Sequence, residues 1–296
     1  MTDQPAPPAP IAAALAEALA GTDLLFVAAD EGRAAQVAAI LAAFVPDARV
    51  LHLPSSDALP GEDAPASPAN IGARVAALRC ARVAAQEGRR TALVTTAEAT
   101  VVRYAPPDRF EAAPPAYAIG DALDLDGFAE LAIGIGYHED DRVDEPGEVA
   151  VRGQVVDIFP VDSALPVRIE VEYGRVSAIR RYDPVSQLTV EELEQLEIGR
   201  ASEPEATGGV SLLDHLPDAA VALDAKADRR RDRFLELSQD ALKRRGRAAD
   251  LLVSAEDWTA GLEGRERVDP APDAAEPPPR FVEQRNPARA FDRFAK

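Results

Sequence analysis

The sequence predicts an α/β chain: a parallel-sheet domain that is interrupted by a β-rich α+β insertion and then resumes. Three observations carry this. Short apolar runs alternate with helically spaced segments from Leu24 to Thr95. After Pro114 the pattern changes to strand-like runs lying close together, punctuated by Gly or Pro. From Ser211 the longer helix–strand–helix period returns. The expected divisions are a mobile Pro-rich start (1–10), a first α/β part (11–115), the β-rich insertion (116–205), a second α/β part (206–268) and a loose tail (269–296). No internal repeat is found.

Each element follows from residue spacing. Ile11 to Ala20 is Ala-rich and favours helix. Leu24 to Ala29 is a compact apolar run, which suits a strand buried on both faces. Glu31 to Phe44 places Val37, Ile40, Leu41 and Phe44 on one helix face. Arg49 to Leu53 is a second short strand, and Pro54 to Pro68 is a loop. Ile71, Val75, Leu78 and Arg82 recur at helical spacing, so 70–86 reads as a helix capped by Asn70. Ala92 to Thr95 is the third strand. In the insertion, a helix over 125–135 precedes strands at Glu148 to Arg152, Gln154 to Phe159, Val167 to Glu172 and Val176 to Tyr182. These read as an antiparallel meander, with Gly174 in a hairpin turn. A helix is expected over 189–196. Beyond it come a helical turn (211–216), a strand (219–223) and a long helix (226–245).

Charge and composition exclude several functions. The chain has 296 residues, 51 acids and 32 Lys or Arg, for a net charge of −19. Broad nucleic-acid faces need a surplus of cations, so any DNA contact is expected to be indirect. One cysteine, Cys80, rules out an intrachain disulfide and a thiolate-rich metal centre. It lies in a helix with no His or Lys nearby in sequence and reads as a structural or surface thiol. The longest apolar run, Val37 to Val45, is too short for a bilayer, which needs about 20 residues. The start, MTDQPAPPAP, lacks the features of a signal peptide, so the expected location is the cytoplasm, with no membrane contact.

Catalytic patterns are missing as well. The chain has no G-x-x-x-x-G-K-[ST] loop, no complete G-x-G-x-x-G, no H-E-x-x-H and no G-x-S-x-G. No cofactor, metal or catalytic residue is expected, and the chain is not expected to be an enzyme. His52, His138 and His215 lie far apart in sequence. His138 with Glu139, Asp140 and Asp141 reads as a solvated turn before a strand rather than as metal ligands. Arg229, Arg230, Arg231 and Arg233, with Lys243, Arg244, Arg245 and Arg247, interleave with Asp228, Asp232, Glu236 and Asp240. Acids three or four residues away can pair with these cations, so the run reads as a solvated helix face.

Residues 147–160 read GEVAVRGQVVDIFP. PVRIE follows at 166–170, then IRRYDP at 179–184 with Ser186 and Gln187. Upstream stand LPSSDALP (53–60), SPANIGAR (67–74) and Thr95–Thr96. This ordered set resembles the bacterial transcription-repair coupling factor family and, more broadly, the module that family shares with the excinuclease protein UvrB. The resemblance covers roughly 24–223, and more weakly extends to Arg293. It implies a degenerate RecA-like first domain that has lost its nucleotide loop, and an insertion that docks the excinuclease protein UvrA. Through that contact the family brings nucleotide excision repair to stalled RNA polymerase.

Strand alternation puts Val167, Ile169 and Val171 on one face and Arg168, Glu170 and Glu172 on the other. The resemblance implies that the arginines matching Arg152 and Arg168 contact UvrA, so the expected partner-binding set is Arg152, Arg168, Glu170 and Glu172. The alternative is that Arg152 and Arg168 pair with local acids such as Glu170 and only hold the sheet together. Glu172 departs from the family, which commonly has an aromatic there. Tyr173 is adjacent but should point to the other face unless a bulge re-aims it. The family also continues into an RNA-polymerase-binding domain and two motor lobes, which this sequence does not contain. Two readings follow: a non-catalytic adaptor, or the N-terminal part of an ATP-dependent DNA translocase whose motor domains are missing from this sequence or separately encoded.

Overall fold

The computed structural model describes residues 6–60, 65–205, 208–246 and 249–271. In chain order the elements are α1 (Pro8–Leu19), β1 (Leu24–Ala28), α2 (Glu31–Phe44), β2 (Arg49–His52), α3 (Pro68–Gln86), β3 (Thr91–Thr96), β4 (Ala116–Ala118), α4 (Leu125–Gly134), β5 (His138–Glu139), β6 (Glu148–Arg152), β7 (Val155–Ile158), β8 (Val167–Glu172), β9 (Arg175–Tyr182), β10 (Thr189–Leu193), β11 (Gln195–Glu197), β12 (Ala220–Leu223), α5 (Ala227–Arg244), α6 (Ala255–Leu262) and β13 (Arg267–Val268).

Five strands form one parallel sheet in the order β13-β12-β1-β3-β2. The segment after the insertion thus returns to the sheet, with β12 paired to β1 and β13 to β12. All five residues of β1 and all six of β3 are buried, because helices cover both faces. Leu24, Phe26, Ala92 and Val94 pack under Ile11, Leu15, Val37 and Leu41 of α1 and α2. Leu25, Leu93 and Val221 pack on the opposite side with Val75, Leu78, Leu213 and Trp258. The period-two alternation of each strand feeds two separate cores.

The intervening segment builds a six-stranded sheet, β10-β9-β8-β7-β6-β5, and a small β11-β4 pair. The sheet is antiparallel except for β5 beside β6. Its inner face (Val149, Val156, Ile158, Val167, Ile169 and Ile179) closes over Phe128 and Ala132 of α4. The β8–β9 hairpin turns through Tyr173 and Gly174, both at positive φ (52° and 73°). This matches the two-residue turn whose twist suits paired strands.

Several elements differ from the sequence reading. Residues 189–196 form β10 and the start of β11, not a helix. The segment is rich in Glu and Leu and favours helix locally, but pairing with β9 and cross-strand ion pairs from Arg180 and Arg181 to Glu192 and Glu191 override that preference. The α3 cap is Ser67, whose hydroxyl accepts from the Asn70 amide; the Asn70 side chain donates instead to the Ser55 carbonyl at 2.8 Å. Helix α1 begins at Pro8, so Pro8 to Pro10 belong to it rather than to a mobile start, because proline fits the first turn of a helix. His138 and Glu139 form a short strand instead of a turn. The expected loose tail lies outside the described residues beyond Ala271.

The two units meet along α3. Gly72 packs so closely on the insertion that a Cβ there would sit 2.3 Å from Val161 Cγ2. Nearby, Arg74 is buried over the Tyr104 ring and pairs with Glu203 at 2.6 Å, just where the chain leaves the insertion.

Candidate partner-binding site

Strand register assembles a charged row on the outer face of the six-stranded sheet. Ala150 lies opposite Asp157, Asp157 opposite Arg168, Arg168 opposite Arg180, and Arg180 opposite Glu192. The next row carries Arg152, Val155 and Glu170. The opposite faces of these strands fill the apolar core, so these side chains are directed outward.

Arg168 of this row makes three side-chain hydrogen bonds. Its Nε donates to Asp157 Oδ1 at 2.7 Å and its Nη2 to Asp157 Oδ2 at 2.9 Å. Nη2 also reaches Gln187 Oε1 at 3.2 Å, and the guanidinium lies 4.8 Å over the Tyr182 ring. The hydrogen bonds to Asp157 raise the Arg168 pKa further, so the group is a fixed cation. Burial pushes the Tyr182 hydroxyl up to about 12. The phenol stays neutral and donates to the Val143 carbonyl at 3.4 Å.

The other three expected residues behave differently. Arg152 is exposed and lines a hollow with Asp157, Tyr182 and Gln187, the residues that surround the Arg168 guanidinium. It has no hydrogen-bond or ion-pair partner among the described residues. Glu170 pairs with Arg180, not with Arg168 or Arg152. Glu172 is exposed at the end of β8, opposite Arg175. Arg168 thus pairs with a local acid, Asp157 rather than Glu170, whereas Arg152 pairs with none among the described residues. A register irregularity between Glu170 and Val171 precedes the turn, and Tyr173 projects fully into solvent rather than onto the inner face. Sequence reasoning missed Asp157, Tyr182 and Gln187. The alternation within 155–158 already placed Asp157 on the charged face, but its pairing needed the register. Beside the row, the connection between β9 and β10 exposes Val185 and Leu188.

The C-terminal edge of the parallel sheet is occupied by the chain's own groups. At the N-terminus of α2 the Asp30 carboxylate accepts from the Arg33 amide at 2.9 Å. The Arg33 guanidinium pairs with Asp224, whose side chain is 2% exposed, and reaches the Ala6 carbonyl. Glu31 joins His52 at 2.8 Å and accepts from the amide and hydroxyl of Ser55. Burial pushes the Glu31 carboxyl up, but these hydrogen bonds outweigh it and hold the pKa below the usual value. A helix N-terminus attracts phosphate through its amides; here a carboxylate already takes that place.

Helix α5 is only partly the solvated face expected. Arg233 pairs with Glu236 one turn on, and Arg230 pairs with Glu98. Arg231 is instead buried against Trp258 and donates to the carbonyls of Val253 and Ser254. Among the described residues no three His, Cys, Asp or Glu side chains gather as metal ligands, and no helix is long and apolar enough to cross a membrane.

Residues 117–203 match the UvrB interaction domain family. The chain is 32% identical over 213 residues to the transcription-repair-coupling factor of Myxococcus xanthus, an alignment covering 70% of this chain and 17% of that protein. The same-named protein of Bacillus subtilis (strain 168) is 29% identical over 164 residues, covering 55% and 14%. That of Mycobacterium tuberculosis (strain CDC 1551 / Oshkosh) is 31% identical over 185 residues, covering 61% and 15%. The aligned part is about a sixth of the length of these relatives. In sequence and in domain content, the chain is similar to the N-terminal module of the bacterial transcription-repair-coupling factors.

Proposed function

We propose that the chain is a non-catalytic adaptor module of transcription-coupled nucleotide excision repair. It docks the excinuclease protein UvrA on the outer face of the six-stranded sheet. One observation carries the reading: Arg152 lines an exposed hollow together with Asp157 and Gln187, the residues that hold Arg168, and has no hydrogen-bond or ion-pair partner among the described residues. Arginine suits such a face because its planar fork binds a carboxylate at two points. The Asp157 brace holds Arg168 in place before a partner arrives, which lowers the ordering cost of binding. Exposed Val185 and Leu188 beside the pair supply apolar area. Glu170 and Glu172 set charge at the margin. DNA and RNA polymerase are reached only through the assembled complex, in the cytoplasm.

The non-catalytic part of the proposal is supported at the N-terminus of α2. The Asp30 carboxylate and the Arg33–Asp224 pair stand where a motor lobe of this topology would receive phosphate. Equilibrium dialysis with ATP checks it. No retained nucleotide is expected, and stoichiometric retention overturns it.

A second reading is favoured by the share of each relative covered. The chain then corresponds to part of an ATP-dependent DNA translocase whose motor lobes are missing from this sequence or separately encoded. Sequencing the DNA downstream of the coding region decides this. Two motor lobes in frame favour the translocase part, and a stop codon followed by unrelated sequence favours the adaptor.

A further inference from the structure

A cavity of about 320 Å³ opens on the seam between the two units. Ala76 and Cys80 of α3 and Phe110 wall one side, and Leu131, Ile135 and Val161 of the insertion wall the other. Cavities from about 300 Å³ upward, apolar inside with a few polar groups at the mouth, are the usual form of a small-ligand site. Three arginines, Arg79, Arg109 and Arg200, line this one.

The chain has 51 acids against 32 basic residues, so carboxylates are available to pair with its arginines. None of these three has an ion-pair partner among the described residues. Arg79 Nε donates to the Ala112 carbonyl at 3.0 Å, and Arg200 Nε reaches the Ser202 carbonyl only at 3.5 Å. The Arg109 guanidinium makes no hydrogen bond among the described residues. Two carboxylates, Asp162 and Glu197, also line the cavity. Three cations against two anions leave a surplus of one positive charge.

We infer that this cavity binds a small amphipathic anion, with a compact apolar body and a single carboxylate or sulfonate. The body replaces water on the apolar walls, and the anion takes the unpaired guanidinium donors. A free phosphate leaves the walls uncovered, and a neutral apolar molecule leaves the cations unpaired. Because the walls come from both units, the occupant bridges α3 and the insertion and holds their seam closed.

The experiment titrates the full chain with 8-anilinonaphthalene-1-sulfonate and follows its fluorescence. The expected result is saturable one-to-one binding, a rise in Tm, and slower alkylation of Cys80 by N-ethylmaleimide when the probe is bound. The only cysteine of the chain thus reports on the cavity itself. Ala76→Trp fills the cavity and should remove all three effects. An Arg79→Gln/Arg109→Gln/Arg200→Gln variant leaves the walls intact. It should weaken the sulfonate by about tenfold or more, the scale of one charge-assisted hydrogen bond, while uncharged N-phenyl-1-naphthylamine binds both proteins alike. Non-saturable uptake, unprotected Cys80, or equal sulfonate binding by the triple variant overturns the inference.

Discussion

Arg168 and Asp157 face each other across neighbouring strands as a two-pronged pair, at 2.7 and 2.9 Å, with the Asp157 side chain 9% exposed and that of Arg168 31% exposed. The pair fixes the guanidinium on the outer face and keeps a buried carboxylate satisfied. Truncating one partner therefore strands the other. Arg168→Ala should lower stability by about 1–3 kcal/mol in urea unfolding, the cost of leaving a covered polar group without its partner. The Arg168→Ala/Asp157→Ala double variant should lose less than the sum of the two singles. Additive losses would show that the two residues do not support each other.

Arg152 offers the contrast. It is exposed and has no hydrogen-bond or ion-pair partner among the described residues. Arg152→Ala should leave the unfolding free energy within about 0.5 kcal/mol of the parent, as surface changes do. The same change should weaken docking of UvrA by about 2 kcal/mol. Urea unfolding beside titration calorimetry separates a binding residue from a folding one.

Glu172 occupies an exposed position at the end of β8, next to the fully exposed Tyr173. A carboxylate there forgoes the apolar contact that an aromatic would make. Burying a Phe side chain contributes about 1.5–3 kcal/mol. Glu172→Phe should thus tighten UvrA binding by about tenfold with unchanged folding. Weaker binding would mean that the partner presents a cation opposite Glu172.

Much of this was legible in the sequence, and the exceptions have physical causes. Strand alternation alone put Arg168, Glu170 and Glu172 on one face, because Val167, Ile169 and Val171 had to be buried. Pairing across strands was not legible: Asp157 meets Arg168 only once the β7–β8 register is set. Residues 189–196 carry local helix preference, and β10 exists because β9 presents an edge and two arginines to it. Strands β4, β5 and β13 are two or three residues long and have no signal apart from their partners. Helix α6 did have a signal, with Ser254 as cap and Glu256 and Asp257 in its first turn.

Gly72 tests the seam between the units. A Cβ at this position would meet Val161 Cγ2 at 2.3 Å and Cβ at 2.6 Å, so an added methyl displaces backbone as well as side chain. Gly72→Ala should destabilise by about 1–3 kcal/mol, as overpacked sites do. Thermal unfolding measures it, and an unchanged Tm would mean that the seam yields freely.

His215 provides a pH signature. Burial lowers its pKa from the usual 6.5 to about 4, and it packs edge-on against Tyr104 and Phe110. Its Nε2 donates to the Ala105 carbonyl at 3.0 Å, which fixes the neutral tautomer. In the unfolded chain the imidazole takes a proton near 6.5, and in the folded chain only near 4. Its contribution is therefore complete above about pH 6.5 and is lost as pH falls towards 4. His215→Gln should flatten the loss of stability between about pH 6.5 and 4 relative to the parent in urea unfolding. Parallel pH profiles would contradict this assignment.

Docking of UvrA through Arg152 and Arg168 is tested most directly by titration calorimetry. The full chain is titrated with UvrA beside Arg152→Ala/Arg168→Ala and an Arg229→Ala/Arg233→Ala control on α5. Tight binding is predicted for parent and control, with a loss of at least about 2 kcal/mol, some thirtyfold, in the first variant. Equal binding by all three proteins, or none by the parent, would contradict it.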